Sequence, residues 1–143
     1  MSPTGVRNLD RAVHSASEWL NRLDEKFGWD DKQKTYRACK TVLHVLRDRL
    51  PHEETVQLGA QLPMVLRGMY YDGWRPSETP KKIRTEEGFL EAISNEYPGL
   101  EQVEPSRIAQ DVLAMLDEQI SAGEMEDVKT SLPKNLRRVW PEA

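Results

Sequence analysis

Chemistry in this chain would have to come from three histidines, one cysteine, and the acids and bases spread along 143 residues. His14, His44 and His52 form no HxxxH or HExxH pattern, so they lack the spacing that places two imidazoles on one metal ion. Cys39 falls on the same helical stripe as Tyr36, Val42, Leu43 and Leu46, which predicts a buried structural thiol rather than a nucleophile. The paired carboxylates Asp30-Asp31, Glu53-Glu54, Glu86-Glu87 and Glu124 with Glu126-Asp127 lie mostly where helices should begin. Negative charge there complements the helix dipole, and no chemistry is needed to explain it. The chain has no GxSxG elbow, phosphate loop, GxGxxG turn or CxxC pair. The expectation is no catalytic residue, no cofactor and no metal.

Two arginines recur in matched settings. Arg67 and Arg137 each close a Leu-Pro-x-x-Leu-Arg phrase. A functional reading would be an anion contact; because a planar guanidinium suits a bidentate carboxylate, the expected role is a structural ion pair with a helix-start acid, Glu54 and Glu124 respectively. The segment Tyr70-Tyr71-Asp72-Gly73-Trp74-Arg75-Pro76, continuing to Lys81, Lys82 and Arg84, has a different composition. Tyr70 continues an apolar stripe and is expected in the core. Tyr71, Trp74 and Arg75 are of the types that anchor interfaces. With Lys81, Lys82 and Arg84 they make up the candidate interaction patch. The competing expectation is that these residues pack a basic linker onto the helices.

The elements that would position these groups are helical throughout. Leu9, Ala12, Val13, Ala16, Trp19, Leu20, Leu23 and Phe27 recur at three- and four-residue steps, with Asn8 as the expected N-cap and Gly28 as terminator. A second helix is expected from Asp30 with Gln33 as its capping-box partner, ending at Pro51. A short third carries Val56, Leu58 and Leu62. Pro63 opens a fourth, which is closed by Gly73. Thr85 should cap a helix bearing Phe89, Leu90, Ile93 and Tyr97. Another runs from about Pro105 to Ile120, Ser121 and Glu124 cap the next, and Pro133 starts a last turn bearing Leu136, Val139 and Trp140. No segment alternates with the period of a strand.

Shifting the chain by seventy positions aligns the two helical series without a gap. Identities fall at Leu20/Leu90, Arg37/Arg107, Val42/Val112, Leu43/Leu113, Leu46/Leu116, Glu54/Glu124, Leu62/Leu132, Pro63/Pro133, Leu66/Leu136 and Arg67/Arg137. Trp19/Phe89, Phe27/Tyr97, Leu58/Val128 and Tyr70/Trp140 exchange apolar for apolar, which cores tolerate when volume and pattern hold. The sequence therefore predicts one all-α domain over 1–143, a compact bundle of seven to eight helices. Unit one spans about 8–74, a linker about 74–84, and unit two about 85–143. Two copies are too few for a solenoid, so they are expected to face each other about a pseudo-two-fold axis.

Several phrases carry a family resemblance: Trp29-Asp30-Asp31, the run from Val42 to Pro51, Ala60-Gln61-Leu62-Pro63, Tyr70 to Pro76, and the closing Leu132-Pro133-x-x-Leu136-Arg137-x-x-Trp140. From about Asn8 to Pro141 the chain resembles the bacterial and archaeal helical proteins of domain of unknown function 2267. That family is uncharacterised, so the resemblance implies no functional residue.

Composition bounds the partners. A net charge of −4 gives no reason to expect nucleic acid or an anionic membrane. No apolar run approaches the length of a membrane span, and the opening Met1 to Gly5 lacks the basic region and apolar stretch of a secretory signal. A lone cysteine suits a reducing cytoplasm. Two functions compete. One is a non-enzymatic module binding a protein partner, or itself as a homodimer, through the Tyr71/Trp74/Arg75 surface. The other is a small-molecule or anion binder with a pocket between the two units, near Tyr71, Trp74 and Arg75. A cleft of a few hundred cubic ångströms with converging polar groups would favour the second.

Overall fold

The computed structural model of the protein describes residues 3–99 and 103–141, so residues 100–102 within the expected second unit and 142–143 at its end lie outside it. The described residues form seven α-helices and no strand: α1 (Arg7–Phe27), α2 (Lys32–Arg49), α3 (His52–Ala60), α4 (Met64–Tyr71), α5 (Glu86–Glu96), α6 (Pro105–Gln119) and α7 (Ala122–Thr130). Short 3-10 turns fall at Pro76–Glu78 and Leu136–Val139.

Local chemistry explains most of the boundaries. α1 ends because Gly28 turns left-handed at φ 71° and its N–H bonds Asp24 O. Thr85 accepts a hydrogen bond from Gly88 N, and Ser121 accepts one from Glu124 N, as their sequence positions predict. Two starts differ from expectation. α1 begins at Arg7, before Asn8, which therefore lies inside the helix. Asp31 rather than Asp30 caps α2, accepting from Lys34 N, because Asp30 is occupied by the turn itself at φ 49°.

The core is continuous. Leu23, Phe27, Cys39, Val42, Leu43, Leu46, Leu58, Leu66 and Tyr70 bury with Phe89, Ile93, Ile108, Val112, Leu113, Leu116, Val128 and Leu136. Burial without a polar partner pushes the Cys39 thiol up to about 12, which keeps it protonated and inert. Leu9, Val13 and Val56 belong to the apolar stripes in sequence, yet they stand exposed. For Leu9 and Val13 the cause is geometric: the first two turns of α1 carry the stripe beyond the part that the other helices cover. Burial begins at Ala16.

α1 packs on α2, α4 and α6. α5 packs on α2, α6 and the Leu136–Val139 turn. α2 meets α6, and α3 meets α7.

The arginine ion pairs are not formed as expected. Arg67 Nε donates to Gly59 O at 3.0 Å and Nη2 to Leu62 O at 2.9 Å. Arg137 Nε donates to Leu132 O at 3.0 Å and Nη2 to Thr130 O at 3.3 Å. Each arginine lies beside the C-terminal end of the preceding helix, where the last carbonyls lack intrahelical donors. The first-turn acids are about 10 Å away along the helix.

Candidate functional site

The site is built around α2. Arg47 stands at helical spacing from Leu43 and Leu50, on the apolar side, and only 4% of it is exposed. A buried guanidinium requires partners on every edge. It finds them in Asp48 Oδ1 at 2.8 Å from Nε, and in Tyr70 O and Asp72 O at 2.8 and 2.9 Å from Nη1. The carbonyls belong to the end of α4, so Arg47 ties that end to the middle of the domain. Lys40, two turns earlier, reaches Asp72 Oδ2 at 3.0 Å. This contact holds the Asp72 carboxyl below its ordinary range and the Lys40 ammonium above its own. His44 lies between them, its Nε2 at 2.7 Å from Met69 O. Burial first, then the Arg47 and Lys40 charges, pull this imidazole below its usual value, so it is neutral at pH 7. A neutral ring must donate from Nε2 to that carbonyl, which leaves Nδ1 as an acceptor.

The linker after α4 runs back along α2. Lys81 N donates to Asp48 O at 2.6 Å, and Arg49 Nε donates to Ile83 O. α5 then rises on the other side, presenting Ala92 and Glu96 four residues apart on one face. Between α2, the end of α4, the linker and α5 lies a cleft of about 520 Å³. Val45, Ile83 and Ala92 are its apolar lining. Lys40, His44, Asp48, Asp72, Lys81 and Glu96 are its polar lining, with Arg47 behind. Convergent charged groups over an apolar floor are what small-molecule sites offer.

The candidate patch divides between several environments. Tyr71 and Trp74 are half-buried, with ring centroids 5.7 Å apart and planes tilted by 38°. Tyr71 Oη donates to Val56 O at 3.4 Å, and Trp74 Nε1 to Thr79 Oγ1 at 3.3 Å. His52 meets the Trp74 ring edge-on at 5.9 Å and bonds Thr79 O at 2.7 Å. These contacts fasten the linker to α3. Arg75 is exposed, facing Glu78 at 3.7 Å and lining a small recess of about 60 Å³ that shares Asp48, Gly73 and Lys81 with the cleft. Of the six patch residues, Lys81 alone enters the cleft; Lys82 and Arg84 are exposed. The histidines do not converge, since His14 sits on the exposed side of α1 with Glu18 at 2.7 Å. Among the described residues no group of three or more His, Cys, Asp or Glu side chains could hold a metal ion. No described helix is long and apolar enough to cross a membrane.

Lys40, His44, Arg47, Asp48, Asp72 and Glu96 were not singled out as a set by sequence: the first four share one face of α2, but Asp72 and Glu96 join them only through tertiary packing. One signal was present: Arg47 occupies an apolar-stripe position, and a charge there must be satisfied by something buried.

Fold and site together define an all-helical bundle with a charged, apolar-floored cleft between two of its helices. A search of curated proteins returns no match to the chain. A family model does match, over residues 16–139, and the chain belongs to that family, described as "Uncharacterized conserved protein (DUF2267)".

Proposed function

We propose that this protein is a binding module whose cleft between α2, the end of α4, the linker and α5 takes a small polar molecule. The observation that carries this reading is the cleft itself: about 520 Å³, with hydrogen-bonding and charged groups brought together from four segments over an apolar floor. The bonds from Arg47 to Tyr70 O and Asp72 O, and from Lys81 N to Asp48 O, preorganise the walls before any ligand arrives. The test is amide-resolved NMR of the full chain against a library of small acids, amines and zwitterions. Shifts should gather at Gly73, Lys81 and Ala92, and Ala92→Trp should abolish them. Shifts confined to other surfaces would refute the reading.

A second reading, an interaction surface for a protein partner or a second copy of the chain, draws on the exposed Arg75, Lys82 and Arg84. Its anchors are weaker support, because Tyr71 and Trp74 are engaged in holding the linker. The buried thiol suits action in the reducing cytoplasm.

We also infer that the domain is two copies of one unit about a pseudo-two-fold axis. Exchanging helices seventy positions apart maps the main contacts onto one another: α1–α6 onto α5–α2, with α2–α6 and α3–α7 onto themselves. Arg107 donates to Phe27 O at 3.2 Å at the end of α1, and its counterpart Arg37 lies 4.1 Å over the Tyr97 ring at the end of α5.

A further inference from the structure

Charges around the cleft cancel in pairs, with two exceptions. Arg47 is matched by Asp48, and Lys40 by Asp72. Among the described residues, the Lys81 ammonium and the Glu96 carboxylate line the cleft without a hydrogen-bond or ion-pair partner. Three cations and three carboxylates leave no net field that would favour a simple anion or a simple cation. What remains is one uncompensated charge of each sign: Lys81 on the linker and Glu96 on α5.

The seventy-position counterparts show what this arrangement lacks. Glu96, Asp48 and Ala92 correspond to Lys26, Glu118 and Arg22, which line a groove with Glu25 and no apolar residue. There Lys26 and Glu118 pair directly at 2.5 Å. At the cleft, the lysine is replaced by Glu96 and the long arginine by Ala92. Glu96 thus lines the cleft as a carboxylate where the other groove carries an ammonium, and the space of the missing side chain is open.

We propose that the cleft binds an aliphatic α-amino acid, its ammonium between Glu96 and Asp48, its carboxylate on Lys81, and its side chain against Val45, Ile83 and Ala92. This rests on the cleft being a binding site. Backbone bonding of Lys81 N to Asp48 O fixes this linker residue against α2, so its cation and the Glu96 carboxylate of α5 border one cleft.

The test compares L-leucine with isopentylamine, which keeps only the ammonium, and 4-methylpentanoate, which keeps only the carboxylate. All are titrated into the full chain by calorimetry and amide NMR. Leucine should bind about tenfold or more tighter than either analogue. Glu96→Gln should weaken leucine about tenfold and leave 4-methylpentanoate unchanged, while Lys81→Met should weaken leucine and leave isopentylamine unchanged. Both side chains are exposed, so folding should persist, which melting would confirm. Cleft shifts with no preference for leucine, or equal losses of all three probes in each variant, would overturn the amino-acid assignment alone. No cleft shift from these probes or from the small-molecule library would overturn the binding site as well.

Discussion

Glu54 and Glu124, first-turn residues of α3 and α7, turn their carboxyls toward each other across the contact between those helices, each with its Oε1 sealed from solvent. Two carboxylates so placed cannot both ionise cheaply, and one shared proton relieves the repulsion. Burial first, then the Glu124 charge, lifts Glu54 from an ordinary 4.5 to about 7. The folded state therefore holds a proton that the unfolded chain has already released between those values. Stability is fullest below about pH 4.5 as far as this group is concerned, and falls as pH rises to 7 and slightly beyond. Each pH unit in that window removes up to about 1.4 kcal/mol, and solvent access to the half-buried pair reduces the total to about 2 kcal/mol. Urea unfolding at pH 5 and pH 8 measures this directly. Glu124→Gln, which can donate to an ionised Glu54, should flatten the dependence and stabilise the protein at pH 8.

Arg67 makes a different prediction from the ion pair its sequence suggested. Its guanidinium satisfies Gly59 O and Leu62 O at the end of α3. Arg67→Met should cost about 1–3 kcal/mol by leaving Leu62 O unmet and Gly59 O with its backbone donor alone. Because no carboxylate is involved, the loss should be the same at pH 5 and pH 8. A loss that disappears at low pH would restore the Glu54 pairing.

The helices themselves were legible because caps and stripes are local. Gly28, Thr85 and Ser121 act where their types predict, each satisfying a backbone group within four residues. The partner of Arg67 was not legible. Whether a guanidinium meets an acid or a carbonyl depends on which end of a neighbouring helix lies beside it, which is a tertiary fact. The exposure of Val13 was hidden for a similar reason, since periodicity shows which face is apolar but not how far along the helix that face is covered.

Gly59 supports the fastening of Tyr71. A Cβ at this buried position in α3 would lie 2.6 Å from Tyr71 Cζ and 2.8 Å from Cε2. Gly59→Ala should therefore destabilise by about 1–3 kcal/mol through forced displacement of the ring. In a Tyr71→Ala background the clash is gone and the helix preference for alanine remains, so the same change should stabilise by about 0.5–1 kcal/mol. A double-mutant cycle from thermal melts measures the sign reversal. Equal effects in both backgrounds would mean Tyr71 does not pack there.

Arg47 and Lys40 both tie α2 to the end of α4, but burial separates their contributions. Lys40 meets Asp72 at the surface, where water competes for both charges, so Lys40→Met should leave the melting temperature nearly unchanged. Arg47 is enclosed, and Arg47→Met strands Tyr70 O, Asp72 O and the Asp48 carboxylate together, a loss of about 3–5 kcal/mol. It should also loosen the cleft rim, so hydrogen exchange at Gly73 and Trp74 should accelerate more than at Val42 or Leu113. If Arg47→Met instead melted near wild type with Gly73 still protected, the end of α4 would be held by its apolar contacts, and the preorganisation of the cleft would have to come from the linker alone.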